Sequence, residues 1–411
     1  MLLRVATFLF GILLPASLSA SPLPMDEAIQ LAIANQPLLA RQQALLEADT
    51  QTTIIEGELP DPKLKLGVSN VPTNNFSLTQ DSMTQSTVSI EQRFPSGKKR
   101  QLAQSIAELR ASQSAAELNN TIRTIKRNTA MAWLNLYYLF NTKVTLAEQE
   151  DEYKKQIEAA RILYRTGKIG QGQVLAVQSM LNQLLDRESE LAAQIFQAKA
   201  ELTRWIGKQA ERELSNNLPG KQNIPPLEQI EAQLASHPDI RKLDQAIAEA
   251  QASLSLAQES HSPDWGIEVG YSKRGPTFSD MVSAQLILDL PVFPANRQDR
   301  LSASKKYLLE AARYQREDSL RSLRAELNGN YVNWLSTTSR IALFKRQIIP
   351  AARQRISVML IGYQTGTATI LEVFEAHHAE LETRLQLLAQ QVALARAEVQ
   401  LVYFLDAEYR K

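Results

Sequence analysis

Residues 363–378 read Tyr363-Gln364-Thr365-Gly366-Thr367-Ala368-Thr369-Ile370-Leu371-Glu372-Val373-Phe374-Glu375-Ala376-His377-His378. The stretch joins two long helical patterns. Thr365-Gly366 is the break between them, because glycine takes the left-handed backbone that lets a helix end and reverse. Just past the break, Glu372 and Glu375 stand three residues apart, a spacing that puts both carboxylates on one helix face. The same turn occurs in the first half of the chain as Tyr164-Arg165-Thr166-Gly167. Its continuation, Val174-Leu175-Ala176-Val177, answers Val373-Phe374-Glu375-Ala376. The chain is written twice, and this turn is the hinge of each copy.

Working outward, each turn is preceded by a long helical pattern, from about Lys98 to Tyr164 and from about Ala295 to Tyr363. At 1.5 Å per residue, roughly 67 residues make a rod of about 100 Å. Return limbs run to about Ile206 and about Leu405. Landmarks recur: Trp133-Leu134-Asn135-Leu136 answers Tyr331-Val332-Asn333-Trp334, and Leu202 with Trp205 answers Leu401 with Phe404. Sustained a/d-like spacing with few glycines or prolines is a coiled-coil signature.

Upstream of each long limb lie two alternating runs, expected as strands at about 64–70 and 86–94 in the first copy and about 266–273 and 282–290 in the second. Period-two alternation gives each one apolar face. Two hairpins of this size do not stand alone in water. Pattern and length alone favour hairpins packed on the helices, although the strands are also about as long as tilted membrane-spanning ones. Before each hairpin comes a helix opened by Pro24-Met25-Asp26 or by Ser236-His237-Pro238 and closed by Pro60-Asp61 or Pro263-Asp264. The expected organisation is a signal peptide at 1–20, a first repeat at 21–215 with its tip turn at 164–169, a linker at 216–226, and a second repeat at 227–411 with its tip turn at 363–368.

Composition sets bounds. The 411 residues are 44% hydrophobic and 22% charged, with a net charge of +1 and no cysteine. No surplus of cations exists to neutralise phosphates, which argues against a nucleic-acid partner. Disulfides, thiolate metal sites and a cysteine nucleophile are excluded. Arg4, the apolar run Val5–Leu14, Pro15 and the small residues Ala16-Ser17-Leu18-Ser19-Ala20-Ser21 read as a cleaved secretory signal. No later segment is apolar enough for a transmembrane helix, so any spanning falls to strands.

With these features in place the chain resembles the TolC family of outer-membrane efflux ducts. The resemblance rests on the duplicated order helix, hairpin, long helix, return helix, and on the paired Tyr-x-Thr-Gly turns. Leu59-Pro60-Asp61-Pro62-Lys63-Leu64-Lys65-Leu66-Gly67-Val68, the loop Asn75-Phe76-Ser77 to Met83-Thr84-Gln85, and Arg93-Phe94-Pro95-Ser96-Gly97-Lys98 are similar to its CzcC/CusC-like heavy-metal branch. The resemblance implies a mostly α fold with a small β part: a homotrimeric α-helical barrel continued by a transmembrane β-barrel of four strands per protomer. It further implies a duct of a tripartite efflux system working with a periplasmic adaptor (membrane fusion protein) and an inner-membrane RND pump. The barrel would lie in outer-membrane lipid, with the helices extending into the periplasm. Heavy-metal cations are the implied cargo. Drugs or other small solutes are the alternative.

The same resemblance assigns roles by position. Thr166, Gly167, Lys168 and Ile169, with Thr365, Gly366, Thr367 and Ala368, would be the adaptor-contacting tips. Glu372 and Glu375 match the paired aspartates at the family's periplasmic entrance, where three copies would supply six carboxylates whose mutual repulsion raises their pKa values. The first copy carries Gln173 and Ala176 there. Tyr363 matches the family's latch tyrosine, but Ala368 and Gln173 occupy the positions of its Arg–Asp latch pair, so that salt bridge cannot form.

Other features have plainer readings. Adjacent His377 and His378 point about 100° apart on a helix and cannot share one ion locally. His378 lies three residues from Glu375, a spacing that supports at most a weak site. Lys98-Lys99-Arg100 would meet anionic headgroups or simply form a solvated turn. Phe76, Phe94, Trp265, Tyr271 and Phe293 fall near strand ends, as aromatic girdles do. No nucleophile–base set, phosphate loop or metalloenzyme motif is present, so neither catalysis nor a cofactor is expected. A periplasmic adaptor and a structural coiled-coil protein are the competing classes; neither accounts for two copies of a strand pair.

Overall fold

The computed structural model describes residues 21–405. The expected signal segment at 1–20, and residues 406–411, lie outside the described residues. Helices α1 (Met25–Asn35) and α2 (Pro37–Gly57) lead into strands β1 (Lys63–Ser69) and β2 (Gln85–Phe94). The long α3 (Lys99–Arg165) and its return α4 (Gln171–Ile206) complete the first copy. The second copy repeats the order with α5 (Leu227–Gln233), α6 (Pro238–Glu259), β3 (Asp264–Arg274), β4 (Met281–Asp289), α7 (Gln298–Leu343), α8 (Ile349–Thr365) and α9 (Ile370–Phe404).

One correction concerns the second long limb, which was expected to be continuous. A π-turn at Phe344–Ile348 divides it into α7 and α8. Pro350 gives the reason. A proline inside a helix removes one hydrogen bond and pushes its ring against the carbonyl four residues earlier. Widening the turn just before it relieves that clash.

The chain forms two compact units. One comprises, of the described residues, 21–32, Thr129–Lys221 and Ile341–Ala395. Within it, α4 buries Val177, Leu184, Leu191, Ala198 and Trp205, each seven residues after the last. On α3, buried Leu139, Leu146, Tyr153 and Ala160 repeat at the same interval and alternate with buried Thr142, Gln149 and Gln156. A seven-residue repeat keeps one seam of a helix facing its neighbour, so these are coiled-coil packing faces.

The other unit comprises Ile33–Asn128, Gln222–Arg340 and residues 396–405. Ile230, Leu234, Ile240, Leu327, Leu401 and Phe404 form its helical core. It also holds the only sheet among the described residues, in the order β1-β2-β3-β4 with every pair antiparallel. The two hairpins therefore join edge to edge through β2 and β3, with Ile90 opposite Val269.

The register puts Leu64, Leu66 and Val68 beside Ile90 and Val88, then Val269 and Tyr271, then Ala284 and Val282, all on one face. This apolar face is the exposed one: Leu66 is 71% and Val282 76% accessible. On the opposite face Ser89, Glu91 and Ser272 are buried. A sheet folded in water does the reverse, because contiguous apolar surface is driven out of contact with solvent. Apolar-out and polar-in is the pattern of a strand in a lipid-facing barrel. Phe94 stacks on Trp265 at 4.4 Å where β2 ends and β3 begins, and Tyr271 lies toward the opposite end, donating its hydroxyl to Asp280. No helix among the described residues is long and apolar enough to cross a membrane.

Candidate gate and docking tips

The two Tyr-x-Thr-Gly turns are built by the same bonds. At the first, Gly167 has φ +68°, its N–H donates to the Tyr164 carbonyl at 2.9 Å, and Lys168 N–H donates to Leu163 at 2.9 Å. At the second, Gly366 has φ +77°, its N–H donates to Tyr363 at 3.2 Å, and Thr367 N–H donates to Gly362 at 2.8 Å. Each pair is the 5→2 and 6→1 closure of a Schellman motif, which satisfies the last carbonyls of a helix. Thr166 Oγ1 donates back to Ile162 and Leu163, and Thr365 Oγ1 to Ile361 and Gly362. A side chain at either glycine meets no other atom within 4 Å. The glycines are therefore required by backbone conformation and not by space.

Thr166, Gly167, Lys168, Thr365, Gly366 and Thr367 are exposed, while Ile169, Tyr363 and Ala368 are half-buried. Behind the turns, buried Phe374 of α9 packs with Ile157 and Ala160 of α3 and Val177 of α4, and Ile169, Ile370 and Leu371 close the edge of this cluster. One hydrophobic knot thus braces both turns.

Glu372 and Glu375 are both exposed, flanking buried Val373 and Phe374, and among the described residues neither forms an ion pair. Their roles differ. Thr369 N–H and Oγ1 both donate to Glu372 Oε2, at 2.7 and 3.0 Å, while Glu372 N–H donates to Thr369 Oγ1 at 3.3 Å. This reciprocal pair is a capping box at the start of α9. In the single chain the pKa of Glu372 is lowered, because the Thr369 backbone N–H and hydroxyl stabilise the ionised carboxylate. The Thr369-x-x-Glu372 signature was readable in the sequence.

A lowered folded-state pKa gives a contribution fully present above the ordinary value of 4.5 and lost as pH falls through the folded value. Thr369→Ala is expected to cost about 1 kcal/mol of local stability, speeding amide exchange in the first turn of α9 about fivefold at neutral pH. Unchanged exchange at residues 370–373 would refute the cap.

His378 does not reach toward Glu375. Gln149 Nε2 lies 2.6 Å from His378 Nδ1, and the Tyr153 hydroxyl lies 2.9 Å from the same atom. These α3 partners hold the ring against that helix. His377 is half-buried. Among the described residues no group of three His, Cys, Asp or Glu is placed to hold a metal.

The positions of the missing latch are quiet: Ala368 N–H donates to Gly362 O at 3.0 Å, and Gln173 is half-buried. Sequence reasoning missed a different tie. Buried Glu380 of α9 accepts from Arg353 of α8 at 3.4 Å and from Arg384 at 2.7 Å, and Arg384 continues to Glu148 of α3 at 3.3 Å. Glu380 and Arg384 are four apart, a spacing visible in the sequence; their partners on other helices were not. Lys99 also has a structural task, donating to Asp264 and to the Ser262 carbonyl, both at 2.7 Å, which leaves only Lys98 and Arg100 of that basic turn toward solvent.

The outer membrane efflux protein family model matches the chain in two stretches, residues 28–208 and 230–405. The cobalt-zinc-cadmium resistance protein CzcC of Cupriavidus metallidurans is 23% identical over 379 residues, covering 90% of this chain and 87% of that protein. Among solved structures, VceC of Vibrio cholerae superposes with a TM-score of 0.79 at 19% identity, over 92% of this chain and 95% of that one. CusC, described in the setting of transmembrane channel formation, gives a TM-score of 0.77 at 15% identity, over 92% and 91%.

Proposed function

The chain belongs to the outer membrane efflux protein family, and from that premise we propose that it is the duct of a tripartite system exporting metal cations. The observation that carries the duct is the four-stranded sheet, whose apolar face is exposed and whose β1 and β4 edges lack partners among the described residues. Unpaired edges are tolerated in hydrocarbon only if other strands satisfy them. Three copies closing edge to edge give one barrel of twelve strands, an even number suited to a lipid-embedded wall. The protein does no chemistry on its cargo. It supplies a continuous aqueous path, and an RND pump drives the flow.

The Schellman-closed tips present exposed, rigid turns, and these are the surfaces offered to the hairpin of a periplasmic adaptor. At the entrance, Glu372 and Glu375 from three chains form an acidic ring that concentrates cations. The tie from Arg353 through Glu380 and Arg384 to Glu148 holds α8, α9 and α3 together where the family's latch pair is absent. Cargo identity leans on the CzcC relative. A deletion strain is expected to become sensitive to cobalt, zinc or cadmium and to recover with the plasmid-borne gene. Sensitivity confined to drugs would make this a small-molecule duct.

In planar bilayers, Glu372→Gln with Glu375→Gln is expected to lower cation conductance and weaken block by divalent cations, with oligomer assembly intact. Unchanged conductance and block would reduce the pair to a helix cap and a solvated side chain.

A further inference from the structure

The polar face of the sheet contains an arrangement that alternation does not require. Glu91 of β2 and Glu268 of β3 stand directly opposite each other. Like charges at opposed positions on neighbouring strands repel. Lys65 of β1, whose own opposite residue is Ser89, reaches across the register to place Nζ between them, 2.6 Å from Glu91 Oε2 and 2.8 Å from Glu268 Oε2. The remaining oxygens are held too: Arg93 Nε donates to Glu91 Oε1 at 2.7 Å, and Ser89 Oγ donates to Glu268 Oε1 at 2.5 Å. Glu91 is only 3% exposed. Two fixed carboxylates with converging oxygens supply part of the oxygen set a hard divalent cation takes, water supplying the rest.

We propose that Lys65 is a tethered counter-cation filling a latent metal site between Glu91 and Glu268, so that the wall carries this acid pair without retaining passing cations. The proposal rests on the preceding reading that this face lines a duct and that metal cations pass it. The physical need is general: conduction requires binding weak enough for the ion to leave. An ammonium on the neighbouring strand competes at a high effective concentration set by its short tether, so a free ion is not retained there. Arg93 is already committed to the other Glu91 oxygen, whereas Lys63, opposite Glu91 on β1, is a cation placed to replace Lys65, so a test must remove both lysines.

The test uses the full chain, purified in detergent, with Glu372→Gln and Glu375→Gln present to silence the other acid pair. Adding Lys65→Met and Lys63→Met is expected to create one Mn²⁺ site per chain by isothermal titration, and to make bilayer current sensitive to Mn²⁺. Lys65→Arg, with Lys63 intact, should bind none. An equal Mn²⁺ count with and without the lysines overturns the proposal, as does a site already present while Lys65 is intact. If the lysine variants do not assemble, Glu91→Gln with Glu268→Gln keeps Lys65 and should shift the reversal potential toward anions; no shift overturns it. Absence of any current through the unsubstituted protein would instead strike the duct reading, while the Mn²⁺ count still decides the latent site.

Discussion

Val269→Arg is expected to abolish stable assembly in the membrane, whereas Ser283→Arg, one strand over on the other face, is expected to leave it intact. Val269 lies in the middle of β3, between Ile90 and Ala284, on the exposed apolar face. An arginine on the lipid face of a barrel costs about 2–4 kcal/mol near the bilayer midplane, and three copies would each bear that cost. Ser283 pairs with Gly270 on the polar face, where a guanidinium stays hydrated and neighbours a wall already rich in charge. The measurement is the heat-resistant oligomer in outer-membrane fractions, with urea unfolding in liposomes for the magnitude. Equal loss in both variants would mean that the two faces see the same environment. Equal tolerance would mean that the apolar face does not meet lipid.

That contrast also marks the limit of what the sequence discloses. The alternation in Leu64-Lys65-Leu66-Gly67-Val68 reads identically whether the apolar side meets a core or a bilayer, since period two says which residues share a face but not what the face touches. Only the register across all four strands, with Ser89 and Glu91 buried while Leu66 and Val282 are open, distinguishes the cases. The helical part was more legible, because duplication let each copy check the other and the Thr-Gly turns carried their own chemistry. The interruption at Phe344–Ile348 was missed for a physical reason: a helix absorbs one proline by widening a turn, so Pro350 leaves the surrounding pattern intact.

The candidate site divides the same way. What depends on neighbours in sequence was available, including the cap Thr369-x-x-Glu372 that the acid-ring reading passed over. What depends on neighbours in space was not. Glu380 meets Arg353 across helices, His378 meets Gln149 and Tyr153, and Lys65 meets Glu268 from the other copy. Each of these pairs an unremarkable polar residue with a partner that no spacing rule points to.

Trp133→Ala is expected to produce the largest loss from a single core position, while Trp133→Phe loses little. Trp133 is fully buried, stacks on Tyr137 with ring centres 5.3 Å apart, and donates Nε1–H to the Leu23 carbonyl at 3.1 Å. Leu23 is itself fully buried and bridged to Leu214, donating to Glu213 O at 2.7 Å and accepting from Ser215 N at 3.0 Å. The indole therefore anchors the segment entering α1 to the segment leaving α4. Removing it leaves a cavity worth about 3–5 kcal/mol, a large share of the roughly 5–15 kcal/mol that holds a typical domain. Phenylalanine keeps most of the buried surface, and Ser215 still serves the Leu23 carbonyl, so its cost is near the net value of one hydrogen bond, about 1 kcal/mol. Unfolding of a membrane oligomer is read as a rate, so the check is the half-life of the oligomer on heating, together with limited proteolysis around residues 21–28 and 212–216. Faster unfolding with new cleavage in those two segments for Trp133→Ala, and neither for Trp133→Phe, is the expected outcome. Equal loss in the two variants would show that the hydrogen bond, not the filled volume, holds the segments together.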